Sequence, residues 1–525
     1  MRDFQFPGRS PVYATNGMVA TSHPLAAQAA LGVLQQGGNA ADAAIAGAVL
    51  LGVCEPQMTG IGGDCFVLVK PAGQDGILAL NGSGRAPAGL SAAALRARGQ
   101  TTVGTESADA VTIPGAVDAF CALSDRFGRL GLDAVLDPAI GYFEAGVPVA
   151  PRVALDWVSD AVRLNADGAR HYLKAGAAYR TGEVFALPGQ AEVLRRIARD
   201  GRRAFYEGEV AEDMLAALRA AGGTHGPEDF AATACDWVDP VSGTYGGQRL
   251  VEHPPNGQGA TAILLLNILS QFDLGAMDPY GADRAHVEAE ATKLAYDARN
   301  RFIADPGHMT RLDHMLAPGT ASALAGLIDM KRAMAVPPPG AEAVHRDTIY
   351  ITVVDRDRMA VSLIYSIYFG FGSGIASPKF GILLQNRGAG FTLTEGHPNE
   401  AAGGKRPMHT IIPGFLNGPG RSMPFGVMGG AYQPAGHARF VTNHLVWGMD
   451  PQAAMDGPRC FADGALLKVE RGYSDRVRLD LAARGHGVVV PDQPLGGSQA
   501  ILIDESTGVL TGGSDPRKDG CAIGY

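Results

Sequence analysis

Apolar positions along the chain fall into two textures. Up to about residue 335 they recur mostly at helical spacing, and after residue 348 they come in short runs broken by turns. HPLAAQAALGVLQQGG (23–38) predicts a helix, with a proline at its start and a glycine pair at its end. NAADAAIAGAVLLGVC (39–54) predicts a second, with Asn39 as N-cap and an apolar run that marks it as buried. EPQMTGIGGDCFVLV (55–69) then turns through glycines into a strand. Helical patterns dominate 113–220 and 283–335, the latter including RAHVEAEATKLAYDARNRF. Beyond Thr348 the pattern predicts strands at IYITVVD, MAVSLIYSIY, GILLQN, FGVMGG, SQAILID and GVLTGG. Runs of helix followed by runs of strand imply layered α+β architecture rather than alternating βαβ units. There is no internal repeat, and VPPPG (336–340) is the one stretch that reads as a break.

Composition narrows the class. A chain of 525 residues with 46% hydrophobic content can bury a large core, and its length alone suggests two or more domains. The net charge of −9, with no basic run, argues against nucleic acid as a partner. Six cysteines (Cys54, Cys65, Cys121, Cys235, Cys460, Cys521) lie without CxxC spacing, which suits reduced thiols rather than a disulfide scaffold or zinc site. MRDFQFPGRSPVY lacks the apolar core of a signal peptide, and the run at 43–54 is too short to span a bilayer. The expectation is a cytoplasmic protein with no membrane partner.

The familiar catalytic signatures fail when tried. NGSGR (81–85) and GFGSGI (370–375) miss the G-x-S-x-G nucleophile elbow. TGIGGD (59–64) lacks the third glycine of a dinucleotide fingerprint and leads into a strand. Walker A and HExxH sequences are missing, and the 13 histidines are mostly solitary, so neither cofactor nor metal is expected. What stands out is HRDTIYIT (345–352), a polar tripeptide running straight into a strand that starts at a threonine. On its own this reads as an ordinary loop and strand.

Taken together, a series of segments resembles the gamma-glutamyltransferase family of N-terminal nucleophile hydrolases. They run from GMVATSHPLAAQAALGVLQQGGNAADAAIAGAVLLGVCEPQMTGIGGDCFVLV through TIPGAVDAF, DPAIGYFEAGVPV, HPPNGQGATAILLLNIL and EAEATKLAYDARNRFIADP. They close with DTIYITVVDRDRMAVSLIYS, FGSGI, GILLQN, KRPMHT, MGGAYQ and TGGSDPRKDGCAIGY. The resemblance covers nearly the whole chain in the family's order. It implies one four-layer αββα sandwich built by two autoprocessed subunits. These would be a large subunit, 1–347, ending in a mobile pro-segment at about 336–347, and a small subunit, 348–525. The two would stay together as a heterodimer, with a dimer of such pairs as the further assembly.

The resemblance also implies site residues. The chain would cut itself between Asp347 and Thr348, freeing Thr348 as nucleophile with its own α-amine as base. Ser366 falls where the family places a second hydroxyl, and Gly429 and Gly430 match its oxyanion-hole glycines. The substrate pocket departs from the pattern. Ser83 replaces the arginine that binds a gamma-glutamyl carboxylate, Gly390 the aspartate that binds its ammonium, Tyr368 an asparagine, and His409-Thr410 a serine pair. Arg387, His409 and Arg85 are the donors gained, and a donor-rich pocket without an amine acceptor favours a small carboxylate-bearing amide with water as co-substrate. NGSGRAP, QNRG and KRPMHT resemble the family's cytoplasmic oxamate amidohydrolase-like branch. Glutathione hydrolase or gamma-glutamyltransferase activity, a glutaryl-type acylase and an inactive scaffold are the alternatives.

Overall fold

The computed structural model describes residue 5 and residues 8–335 and 348–525. The expected pro-segment at about 336–347, with Asp347, lies outside the described residues. Two seven-stranded sheets form the centre. One runs in the order Cys521–Gly524, Met18–Thr21, Ile349–Val354, Ala360–Ser366, Asp64–Lys70, Leu78–Gly82, Asp236–Val238. The other runs Val12–Ala14, Leu510–Ser514, Gly497–Asp504, Arg421–Met428, Gly414–Gly418, Gln248–Glu252, Val241–Tyr245. Each sheet mixes strands from before residue 336 with strands from after residue 347.

Side-chain alternation builds the layers. Ile349, Ile351 and Val353 join the core formed with helices Pro24–Gln35, Ala40–Cys54 and Leu132–Ala145. Tyr350 and Val354, on the opposite face of the same strand, pack between the sheets, Tyr350 in a cluster with Met428 and Val354 in one with Phe415 and Ile501. On the outer side of the second sheet, Leu416, Phe425 and Val427 share a core with helices Gly259–Leu269, Ala282–Phe302 and Gln433–Val446. The order is therefore helix, sheet, sheet, helix, the αββα sandwich.

The helix start at Asn39 is built as expected. Asn39 Oδ1 accepts from Ala41 and Asp42 N–H, and Asp42 Oδ2 accepts from Asn39 N–H at 3.0 Å. Such caps contribute about 0.5–2 kcal/mol. Helix Ala40–Cys54 is buried on every side.

Three departures from the sequence expectation have physical causes. Strands Gln248–Glu252 and Leu78–Gly82 lie inside the helix-rich part; Leu78–Gly82 is buried on both faces along nearly its whole length and shows no alternation, while Gln248–Glu252 is buried only over its last three residues. Helix Gln433–Val446 lies in the strand-rich part, its first eleven residues nearly all buried. GILLQN forms no extended ladder. Gly381 sits at φ 68°, and the segment is held by Leu384 N–H on Ile375 O and Gln385 N–H on Gly62 O, at 2.9 and 3.0 Å. All six cysteines are unbridged. Among the described residues no helix is long and apolar enough to cross a membrane.

Candidate active site

The site grows out of strand register. Ile349 pairs with Tyr365 and Ser366 pairs with Asp64, so one further antiparallel step sets Thr348 opposite Ser366. Three neighbouring strands thus present Thr348, Ser366 and Asp64 in one row at their ends. The Thr348 hydroxyl donates to Ser366 Oγ at 3.3 Å, and Thr348 is only 1% exposed. Ser366 Oγ also accepts from the Tyr368 N–H at 2.9 Å and from Arg387 Nη2 at 3.3 Å. The serine hydroxyl is therefore the junction between the threonine and Arg387.

Arg387 opens a short 3-10 turn, Arg387–Gly390, and is fully buried. Its Nη1 donates to Thr410 Oγ1 at 2.9 Å, and its guanidinium carbon lies 4.0 Å from the centre of the Tyr368 ring. That stacking keeps the cation's planar face against an aromatic face and its edge toward hydroxyls. Tyr368 itself holds φ at 83°, a region a bulky side chain occupies only under constraint. Its own N–H on Ser366 and the next N–H, Phe369 on Asn386 Oδ1 at 3.2 Å, supply that constraint.

The third member of this row is a carboxylate with no motif of its own in the sequence. Asp64 is fully buried, and its Oδ1 accepts from Gly84 N–H, Gly115 N–H and Gln385 Nε2 at 2.8, 3.2 and 2.7 Å. Its Oδ2 faces His409 Nε2 at 3.1 Å. The only sequence signal was an acid closing a glycine turn at the head of a strand.

Two of the expected substrate donors, His409 and Arg85, make hydrogen bonds within the protein. Burial, reinforced by the Arg387 charge, lowers the His409 pKa to about 3, so the ring is neutral at physiological pH. Nε2–H then donates to Asp64, and Nδ1 accepts the Ile411 N–H at 3.3 Å. Both ring nitrogens are engaged, and His409 has no donor left for a substrate carboxylate. Arg85 is also engaged elsewhere. Half exposed, it reaches Gly404 O at 3.1 Å, Asp305 at 3.5 Å and Asp236 at 3.8 Å, a rim network that ties loops rather than the Arg387 cluster.

Gly429 and Gly430 follow strand Arg421–Met428 of the facing sheet, with φ of 114° and 55°. Gln258 ties them to the cation. Its Nε2 donates to Thr410 O at 2.6 Å and to Gly430 O at 3.0 Å, while its Oε1 accepts from Arg299 Nη1 at 3.0 Å. Thr348, Ser366, Arg387, Thr410, Tyr368 and Gly430 are thus linked through one buried polar network. Ser366→Ala should keep the fold and slow turnover by about 10–100-fold, the cost of one positioning hydrogen bond of roughly 1–3 kcal/mol. Wild-type rates in that variant would show Ser366 to be only a strand residue.

Gly390 is fixed by packing as well as by identity. A Cβ there would lie 2.7 Å from Met408 O. Asn399 clamps the same two segments, donating to Gly390 O at 2.7 Å and accepting from Met408 N–H at 2.9 Å. An aspartate cannot be placed at 390 without moving backbone. Gly390→Ala alone should destabilise by about 1–3 kcal/mol, measured by denaturant unfolding. A neutral result would mean that the loop yields and an acid could be accommodated.

Comparison with known proteins agrees with this architecture. The gamma-glutamyltranspeptidase family model matches residues 26–525. A glutathione hydrolase-like YwrD proenzyme from Bacillus subtilis is 36% identical, over 98% of this chain and 99% of its own. An oxamate amidohydrolase proenzyme from Klebsiella pneumoniae is 35% identical over the same shares. The crystal structure of a cephalosporin acylase from Bacillus halodurans superposes with a TM-score of 0.92 at 40% identity, covering 100% of this chain and 99% of that one. With a family model spanning nearly the whole sequence and relatives matched end to end, the chain belongs to the gamma-glutamyltranspeptidase family and is an amidohydrolase of the N-terminal nucleophile kind.

Proposed function

We propose that Thr348 is the nucleophile of this enzyme and that its substrate is a small amide whose carboxylate lies next to the scissile carbonyl, as in oxamate. The observation that carries the substrate class is the position of Arg387. Two 3.3 Å hydrogen bonds, through the single atom Ser366 Oγ, separate its guanidinium from the Thr348 hydroxyl. A carboxylate bound there sits within one or two bonds of a carbonyl under attack by Thr348. A gamma-glutamyl group carries its carboxylate three carbons further from the reacting carbonyl, and its ammonium would find a glycine at 390. An unpaired ammonium in a shielded pocket costs several kcal/mol.

Chemistry follows in two stages. In processing, Thr348 Oγ attacks the Asp347 carbonyl, the peptide C–N bond breaks, and the hydroxyl proton passes to the departing nitrogen. Water then splits the ester, leaving an Asp347 carboxylate and a free Thr348 amine. That amine, with a reference pKa of about 7.7–8.0, is a competent general base near neutral pH. In turnover it takes the hydroxyl proton as Oγ adds to the substrate carbonyl, then protonates the leaving nitrogen. Water attacks the acyl ester and restores the threonine. Gly429 and Gly430 N–H groups would stabilise the oxyanion. Such donors are worth about 3–4 kcal/mol.

A second reading, an acylase for a longer acid amide, draws support from the likeness to the cephalosporin acylase structure. A panel of oxamate, glutathione and a glutaryl anilide, compared by kcat/KM, separates the readings. Oxamate is expected to exceed glutathione by at least about 100-fold, the discrimination expected when a buried charge is left unpaired. Preference for glutathione over every amine-free amide would overturn the substrate class.

A further inference from the structure

We propose that His286, Glu290 and His486 form a binding site for a divalent metal ion of the zinc type, remote in sequence from the Thr348 site. His286 and Glu290 lie one turn apart on helix Ala282–Phe302. His486 follows helix Asp475–Ala483 and leads into strand Gly487–Val489. All three side chains are buried, and one ligand atom of each falls within 4.8 Å of the others. His286 Nδ1 is 2.7 Å from His486 Nε2, and His486 Nε2 is 4.0 Å from Glu290 Oε1.

The surroundings prepare these atoms for a cation. His286 Nε2 lies 2.9 Å from the Asp329 carbonyl, which can only accept, so Nε2 carries the proton and Nδ1 presents a lone pair to the cluster. Orientation of a ligating imidazole through its other nitrogen is the arrangement metal sites use. Two imidazoles and a carboxylate are a donor set suited to zinc and its neighbours. A cavity of about 120 Å³, lined by His486, Lys293, Met334, Leu467 and Gly485, adjoins the cluster and leaves room for water as a further ligand.

Two features of the cluster oppose a metal. The 2.7 Å contact is a hydrogen bond in which His486 Nε2–H donates to the His286 Nδ1 lone pair, so the His486 proton must move to its Nδ1 when an ion binds. The second is that Glu290 is already paired. Glu290 Oε1 accepts from Lys293 Nζ at 2.7 Å, and Glu290 Oε2 from Met334 N–H at 2.8 Å. Lys293, which borders the cavity, must withdraw into it when the ion binds. Its ammonium therefore acts as a built-in competitor. The site also joins segments that matter for assembly. Asp329 and Met334 belong to the last described stretch before residue 336, and His486 belongs to the chain beyond 348. Arg484 adds further ties there: its Nη1 donates to Met330 O at 3.0 Å, and its carbonyl accepts from Ala333 N–H at 2.8 Å. A bound ion would clasp the end of the upstream chain to the downstream one.

The test uses the full-length protein, stripped with a chelator and titrated with zinc chloride against a chromophoric competitor. One equivalent of zinc per chain is expected, with a rise in Tm of about 2–4 °C at saturation. Cobalt should give visible absorption bands of a coordinated ion. His486→Ala should lower zinc uptake to below about a tenth of an equivalent and remove the zinc-dependent Tm rise, because one of three ligands is gone. Lys293→Met, which leaves all ligands in place, should tighten zinc binding by about 10-fold. If His486→Ala fails to fold, Lys293→Met decides the matter. Wild-type protein that takes up no zinc, uptake undiminished in folded His486→Ala, or affinity unimproved in Lys293→Met would identify a plain hydrogen-bonded histidine pair and overturn the site.

Discussion

Thr348→Ala protein is expected to run as one uncut chain on a denaturing gel and to show no turnover. The wild-type chain should separate into two pieces, the smaller one beginning Thr-Ile-Tyr. Alanine lacks both the hydroxyl that attacks the preceding carbonyl and, without cleavage, any free amine to act as base. The two losses are coupled, so the effect is complete rather than graded. Thr348→Ser, which keeps a hydroxyl opposite Ser366, should process slowly and retain partial activity. N-terminal sequencing that found another first residue, or cleavage of Thr348→Ala at the same bond, would remove Thr348 from the mechanism.

The second large effect belongs to Arg387. Its replacement by alanine removes the buried guanidinium that reaches both Ser366 and Thr410 and stacks on Tyr368. For an anionic amide, kcat/KM should fall by about 10²–10³-fold, as for loss of one member of a buried charge pair. The fall should appear mainly in KM. A neutral amide of the same size should lose far less. That contrast separates binding of a carboxylate from mere support of Ser366, which would lower both substrates alike. Arg387→Lys should recover little, since a point charge cannot fork between two hydroxyls while lying flat on a ring. Thr410→Val, which removes only the Nη1 acceptor, should cost about 10-fold.

The sequence carried the strand that follows Thr348, the capped helix at Asn39 and the order of the family motifs. Residue type alone did not tell which donors were still available. His409 and Arg85 read as substrate contacts because they can donate, but Asp64, the Ile411 N–H, Asp305 and Asp236 take up their capacity. Asp64 was invisible as a hub because its partners, Gly84, Gly115, Gln385 and His409, are spread from position 84 to 409. The same holds for His286 and His486, which are 200 residues apart and become neighbours only in the fold. Helix Gln433–Val446 leaves no periodic signal because burial on nearly all sides of its first eleven residues erases the amphipathic stripe that marks a surface helix.

The mixing of strands in both sheets sets how the processed enzyme would age. In the sheet that carries Thr348, Met18–Thr21 lies between Cys521–Gly524 and Ile349–Val354, and Ala360–Ser366 abuts Asp64–Lys70. A cut before Thr348 leaves every one of these ladders in place, so the two pieces cannot part without unfolding both. Folding of the uncut chain is a first-order event. Once cut and unfolded, the pieces must find each other again, and recovery becomes dependent on concentration and competes with aggregation. Self-cleavage would therefore exchange a reversible fold for a one-way lifetime set by the unfolding barrier. Heated and cooled at micromolar concentration, cleaved enzyme should regain far less activity than uncut Thr348→Ala regains native secondary structure.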